Sequence, residues 1–211
     1  MSAPIETLPD ANGLTKEDLD KNPFAQFDNW FKYATESSEP MPIGMSLATV
    51  SSDQQPSLRT VLLKYYDKEG FVFFTNYNSR KSQEIIQNPK VAIKFYWSTL
   101  GRQLIILGKA EKVSKIQSIQ YFMSRPKGSR IGAWCSNQSK IISSKQDLLD
   151  QFESIKTKFK NIDIPKPQHW GGYRIVPSSF EFWQDGKFRL HDRFRYTLNE
   201  KKEWQLDRLA P

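Results

Sequence analysis

Two cations, Arg59 and Lys64, bracket the apolar run Thr60-Val61-Leu62-Leu63, and a helix-like stretch opens soon after on Ser79-Arg80-Lys81. Basic residues in the first turn of a helix oppose its dipole. An anion at that position reverses the sign, because exposed amides, dipole and side chains then all favour it. The chemistry suggested is phosphate binding, against the plainer reading of a solvated basic turn. A second set lies further on. Tyr121 and Arg125 are four residues apart and share a helical face, and Ser129 follows a break at Pro126 and Gly128. A phenol, a guanidinium and a hydroxyl could hold a second phosphate, although a surface Tyr–Arg pair is common. A third stretch, Lys187–Tyr196, alternates Phe188, Leu190, Phe194 and Tyr196 with Lys187, Arg189, His191, Arg193 and Arg195. That period of two predicts a β-strand with one apolar and one cationic face. Such a face could wall a polyanion site or could simply blunt an exposed edge.

Other polar groups stand out by context. Gln103 sits in an otherwise apolar strand, Gln138-Ser139 in a polar loop, and Trp183 just before Asp185-Gly186. A buried Gln needs hydrogen-bond partners, and a Trp there could pack on a flat ring. His169 in His-Trp-Gly-Gly reads as a loop residue. No phosphate-loop, dinucleotide, zinc-protease or serine-elbow motif occurs. Two anion sites without a protein nucleophile or metal point to a bound organic cofactor that carries the reaction.

These residues need elements to position them. Residues 1–20 read as a mobile arm punctuated by Pro4, Pro9 and Gly13. Asn22-Pro23 predicts a helix start, with Phe24, Phe27, Phe31 and Ala34 at helical spacing through about residue 36. Strand-like runs follow at 43–50, 57–66, 71–76, 90–97 and 102–113, then at 173–176, 180–184, 187–196 and 204–208. Helices are expected at 79–87, 114–124 and 143–159, and Asp185-Gly186 reads as a tight hairpin turn. Eight or nine strands with inserted helices predict an α+β protein built on an antiparallel barrel, one domain over 21–211.

Composition sets the bounds. The chain has 211 residues, a net charge of +8 and 13% aromatic residues. The positive excess invites anionic partners. No apolar run is long enough to span a membrane, and the polar N-terminus lacks a secretory layout. One cysteine, Cys135, excludes an internal disulfide and fits a reducing, cytoplasmic setting. Two His and one Cys disfavour structural zinc.

At the level of motifs the sequence resembles the pyridoxamine 5′-phosphate oxidase family. The likeness is carried by RTVLLK at 59–64, GFVFFTNYNSRK at 70–81, RQLIILGKAE at 102–111 and YFMSRPKGSRIGAW at 121–134. It continues in NQS at 137–139, WGGYR at 170–174, EFWQ at 181–184, RLHDRF at 189–194 and RLAP at 208–211. The resemblance implies an FMN-binding split barrel and a homodimer with FMN at the subunit interface. It implies flavin contacts from Arg59, Thr60, Val61, Leu62, Leu63, Lys64, Phe74, Thr75, Arg80 and Lys81. Gln103, Gln138, Ser139, Trp183 and Arg193 match further flavin positions, some reached across the dimer. Lys64, Tyr121, Arg125 and Ser129 match the substrate-phosphate set, and Arg189 and His191 the pair over the substrate ring. The implied reaction oxidises pyridoxamine or pyridoxine 5′-phosphate to pyridoxal 5′-phosphate with O2. The chain departs from the family at Phe74, often Tyr, and at Asp185, usually Gly. Its first twenty residues lack the Arg and Tyr that often fold over the substrate.

Two other readings remain open. A sister flavin oxidase could act on another aromatic substrate, such as a phenazine precursor, although that would leave the Tyr121, Arg125 and Ser129 set unused. A non-catalytic protein could bind nucleic acid or pyridoxal phosphate. Nucleic acid is disfavoured because the cations cluster at strand faces and helix starts rather than in one stripe.

Overall fold

The computed structural model describes residues 13–211. Among these residues nine strands form one antiparallel sheet, and five helices lie around it. α1 (Pro23–Glu36) starts as expected: Asn22 caps it by accepting from the Phe24 N–H at 2.9 Å, and Pro23 takes the first position. Its Phe27, Trp30 and Ala34 are buried against the sheet.

β1 (Gly44–Val50) pairs with β2 (Pro56–Leu62), and β3 (Tyr65–Asp67) pairs with β4 (Gly70–Asn76). The expected single strand over 57–66 is broken at Leu63–Lys64. Leu63 N–H still bonds Ile43 O at 2.9 Å, whereas Lys64 N–H bonds Val72 O at 2.8 Å. The chain changes partner between one residue and the next. β2 and β3 are consecutive in the chain but stand at opposite ends of the order β2-β1-β5-β6-β7-β4-β3. The sheet must therefore curl to bring its ends together, and RTVLLK lies on that seam.

α2 (Arg80–Gln87) follows β4, and β5 (Lys90–Trp97) and β6 (Arg102–Lys112) form a long hairpin. α3 (Lys115–Ser124), α4 (Lys127–Cys135) and α5 (Lys145–Lys158) come next, and their capping follows the sequence: Ser114 makes a capping box with Gln117, and Ser144 caps α5. α4 was not expected. Pro126 ends α3 by holding Arg125 in extended backbone, and the same proline stands at the N-cap of α4. A helix start resembles a helix stop when both use one proline.

β7 (Trp170–Gln184) runs for 15 residues where two short strands were expected around Pro177. A bulge against β6 at Leu107/Gly108 absorbs the proline. A Cβ on Gly108 would stand 2.2 Å from Val176 O, so only glycine fits there. At the other end, a Cβ on Gly172 would meet the Phe74 ring at 2.8 Å.

β8 (Asp192–Leu198) and β9 (Trp204–Leu209) complete the sheet. The expected strand over 187–196 is half right. Phe194 and Tyr196 are buried and alternate with Arg193 and Arg195, but the β7–β8 pairing ends at Gln184–Asp192. Lys187–Arg189 form a single 3-10 turn, with Phe188 and Arg189 at φ 56° and 65°. Phe188 is 90% exposed and Leu190 69%. The alternation across 187–191 therefore marks no sheet face, because no ladder reaches it. Asp185-Gly186 opens a connection running to His191 rather than a two-residue turn.

The main core lies between α1 and the inner sheet face, built on Phe71, Phe73, Phe95, Trp97, Phe180 and Phe182. A second core joins α3, α4, α5 and the start of β7 through Phe122, Ile131, Phe159 and Trp170. Most of the expected arm at 1–20 lies outside the described residues. Its last part is packed: Leu14 and Leu19 are buried, Leu14 N–H donates to Asp192 at 2.8 Å, and Tyr196 Oη donates to Asp20 O at 2.5 Å.

Candidate active site

A cleft of about 630 Å³ opens at the seam of the sheet. β2 and the crossing after it supply Thr60, Val61, Leu62 and Lys64; β4 supplies Phe74, Thr75 and Asn76; α2 supplies Lys81. α3 brings Tyr121 and Arg125, α4 brings Ser129 and Gly132, and the loop after it brings Gln138. Eleven residues singled out from the sequence thus line one cavity.

The two expected anion sites have different characters. Lys81 is 8% exposed. Its Nζ donates to Gln138 Oε1 at 2.8 Å, Thr75 Oγ1 at 3.1 Å and Ser79 Oγ at 3.2 Å, all neutral acceptors. Burial, with the nearby charge of Arg59, lowers its pKa to about 8. Beside it, Arg59 and Arg80 both pair with Glu84. Three cations against one carboxylate leave an excess of two positive charges at the start of α2. Ser79 stands at the N-cap without capping; its hydroxyl serves Lys81 and Ser82 instead.

The second site sits on aromatic rings. Phe74, Tyr121 and Trp170 form a cluster of near-parallel rings, with centroids 4.0 Å apart for Phe74–Tyr121, 5.3 Å for Phe74–Trp170 and 6.1 Å for Tyr121–Trp170. Arg125 lies 4.7 Å over the Trp170 ring, and its Nη1 is buried without a hydrogen-bond partner. Burial lowers the Arg125 pKa and raises that of Tyr121. A buried guanidinium nitrogen left unpaired costs free energy that an anion would recover. Space for one exists: Gly132 lines the cleft, and a Cβ there would meet nothing within 4 Å.

Not every expected residue faces this cleft. Leu63 is buried in the core. Arg59 turns back to β1 and β2, donating to Leu47 O at 3.0 Å and to Thr49 and Ser57. Ser139, at φ 72°, lines a neighbouring cavity. Gln103, Trp183 and Arg193 are side by side in register on β6, β7 and β8. Arg193 is fixed by Glu181 at 2.7 Å and by Ala210 O at 2.8 Å. His191 Nδ1 lies 3.0 Å from Asp185 Oδ1 and 3.2 Å from the Gly186 N–H, with the Trp183 ring 4.7 Å away. Arg189 is exposed in the same loop. This second group sits at the far end of β7 from Trp170, thirteen positions along the strand (170 to 183), or about 43 Å of contour.

Sequence reasoning passed over Trp170 and Asn76, which line the cleft, and Glu84. Trp170 had a signal in its neighbours: Gly171-Gly172 lets the rings of Tyr77 and Phe74 lie against β7. Glu84 had none beyond its position four residues after Arg80.

Residues 40–159 match the family described as pyridoxamine 5′-phosphate oxidase. The chain belongs to that family. Residues 170–211 match the C-terminal dimerisation region of pyridoxine 5′-phosphate oxidase. Relatives named pyridoxine/pyridoxamine 5′-phosphate oxidase include one from Rippkaea orientalis, 56% identical over 95% of this chain and 94% of its own length. Another, from Aliarcobacter butzleri, is 54% identical over 94% of each. Among solved structures, PhzG from Burkholderia lata in complex with tetrahydrophenazine-1-carboxylic acid superposes with a TM-score of 0.87 at 26% identity, covering 92% of this chain and 95% of that one. A pyridoxamine 5′-phosphate oxidase-related, FMN-binding protein from Nostoc punctiforme shares the fold, with a TM-score of 0.71 at 16% identity over 92% of this chain and all of that one. The oxidase family's antiparallel split barrel is the fold expected from the sequence. Among the described residues no helix is long and apolar enough to cross a membrane, and no cluster of His, Cys, Asp or Glu could hold a metal.

Proposed function

We propose that this oxidase converts pyridoxamine or pyridoxine 5′-phosphate to pyridoxal 5′-phosphate, using FMN held between two copies of the chain in the cytoplasm. The observation that carries the reading is the pairing of two separate cationic sites with one aromatic-walled cleft. Lys81, Arg80 and, behind them, Arg59 would hold the flavin phosphate at the start of α2. Thr60, Val61, Leu62, Thr75 and Gln138 would line the ring system. Lys64, Tyr121, Arg125 and Ser129 would take the substrate phosphate, and the unpaired Arg125 Nη1 fits that task.

Flavin held there would supply a two-electron oxidation, taking up the hydride lost from the substrate's C4′ carbon and reducing O2 to hydrogen peroxide. The amine substrate also consumes water and releases ammonia; the alcohol gives the aldehyde directly. The chain's own residues would bind, orient and exclude water. Gln103, Ser139, Trp183, Arg189, His191 and Arg193 lie outside the cleft of their own subunit, and the partner's copies would complete the site. Arg189 and His191 would orient the substrate ring. His191 Nδ1 is shared between a carboxylate and an N–H, so the ring can either donate to Asp185 or accept from Gly186.

The test is an absorption spectrum with a flavin band at about 450 nm, together with turnover of pyridoxamine 5′-phosphate. A colourless protein would overturn the reading. The likeness to PhzG favours a second reading, oxidation of an unphosphorylated tricyclic substrate. Against it stands the make-up of the Arg125 site, where Lys64, Tyr121 and Ser129 line the same cleft and together suit the several oxygens of a phosphate better than the two of a carboxylate. Turnover of a reduced phenazine carboxylate, with none of the phosphorylated pyridine, would select it.

A further inference from the structure

Glu84 is 4% exposed on α2. Its carboxylate collects donors from three elements. Oε1 accepts from Arg80 Nε at 2.8 Å. Oε2 accepts from Thr49 Oγ1 on β1, from Ser57 Oγ on β2 at 2.6 Å and from Arg59 Nη2 at 3.3 Å. Burial alone would raise its pKa, but the hydrogen bonds from Ser57 and Thr49, with Arg80 and Arg59 alongside, outweigh it and lower the pKa to about 2. Isolated burial of a carboxylate is costly, and a buried ion pair rarely adds net stability over apolar packing. What such a group does supply is geometry: two arginines from different elements share one fixed acceptor. Glu84 grips Arg80 by Nε alone, and it holds Arg59 by the same Nη2 that Ser57 accepts from.

We infer that Glu84 is a positioning residue, which sets Arg59 and Arg80 in place beside Lys81 so that the start of α2 presents an ordered cationic cradle to a phosphate monoester. The inference rests on the proposed flavin-phosphate site. Its chemistry is discrimination: a cradle set by Glu84 adds affinity for FMN and none for riboflavin, which has the same ring without the phosphate. In Glu84→Gln one of the two acceptor oxygens becomes an NH2, which must face either Arg80 Nε or the donors from Thr49, Ser57 and Arg59, so the two arginines lose their common anchor.

The experiment uses the full chain freed of flavin, titrated separately with FMN and with riboflavin while flavin fluorescence is followed. Glu84→Gln is expected to weaken FMN by about tenfold or more and to leave riboflavin within about twofold. Equal weakening of both would make Glu84 a structural clamp and overturn the inference. Tighter FMN would make it a competitor for the cations and overturn it as well. Lys81→Ala separates the two levels: if it leaves the FMN-to-riboflavin ratio unchanged, the phosphate lies elsewhere and the proposed site itself fails. If Lys81→Ala collapses the ratio and Glu84→Gln does not, only the role of Glu84 fails. Should Glu84→Gln not fold, Ser57→Ala removes one donor and keeps the charge. A smaller fall in the same ratio is then expected, and an unchanged ratio would overturn the inference.

Discussion

Lys81 carries the most informative charge in the cleft. An ordinary lysine keeps its proton to above pH 10; this one is lowered to about 8 because its ammonium is buried among neutral acceptors near Arg59. An anion beside it raises that value again. Binding is therefore strongest while the free ammonium is still charged, and weakens as pH rises through about 8. FMN affinity is expected to be flat below that point and to fall by up to about tenfold per pH unit above it. Fluorescence titration from pH 6.5 to 9.5 checks this, and Lys81→Arg, which stays charged, should flatten the limb. Folding of the flavin-free chain responds with the opposite sign. The unfolded lysine holds its proton more tightly, so this group's contribution to stability improves from about pH 8 upward. Arg125 gives a second expectation at this scale. Arg125→Ala should raise KM for the phosphorylated substrate roughly 30- to 150-fold, the equivalent of about 2–3 kcal/mol, with flavin content unchanged. Steady-state kinetics beside the absorption spectrum tests both parts.

At the scale of elements, two glycines control how β7 is laid. Gly108→Ala would drive a Cβ into the Val176 carbonyl, and backbone on both sides leaves little room to yield. A loss of about 3 kcal/mol is expected, read by chemical denaturation. Neither this bulge nor the unity of β7 was legible in the sequence, because Pro177 reads as a strand end until its partner strand is known. α1, α2, α3 and α5 were legible, since caps and apolar spacing are local signals. α4 was not, because Pro126 serves two helices. The cationic run at 187–191 misled for the converse reason: alternation is necessary for a half-buried strand, but pairing makes one, and the ladder stops at Asp192. For the site, the resemblance to the family's motifs named most of the residues that the structure brings to one cleft, from Thr60 to Gln138, and their own chemistry singled out only the cationic and Tyr121–Arg125–Ser129 sets. Neither could tell that Arg59 faces β1, because that depends on Thr49 and Glu84 from other elements.

At the scale of the molecule, most of the expected site residues fall into two groups at opposite ends of β7, and the match to a dimerisation region covers Trp183, Arg189, His191 and Arg193 of the second. If each working site joins the cleft of one subunit to the 183–193 region of the other, mixed dimers should complement. Lys81→Ala and Arg189→Ala chains, each nearly inactive alone, are expected to regain about a quarter of wild-type turnover when unfolded and refolded together at equal amounts. Half the dimers are then mixed, and each has one intact site of two. No recovery would mean that each site draws on a single chain. Arg189→Ala alone should depress turnover far more than flavin content, as measured by activity per bound flavin.

β7 also acts as a ruler. One unbroken strand runs from the Trp170 ring under Arg125 to the Trp183 ring beside His191, and its only irregularity is the bulge at Leu107/Gly108. Inserting or deleting one residue would turn every later side chain to the opposite face. The separation of these two Trp rings is thus quantised in whole residues, and exchange of side chains along this gauge leaves its length untouched.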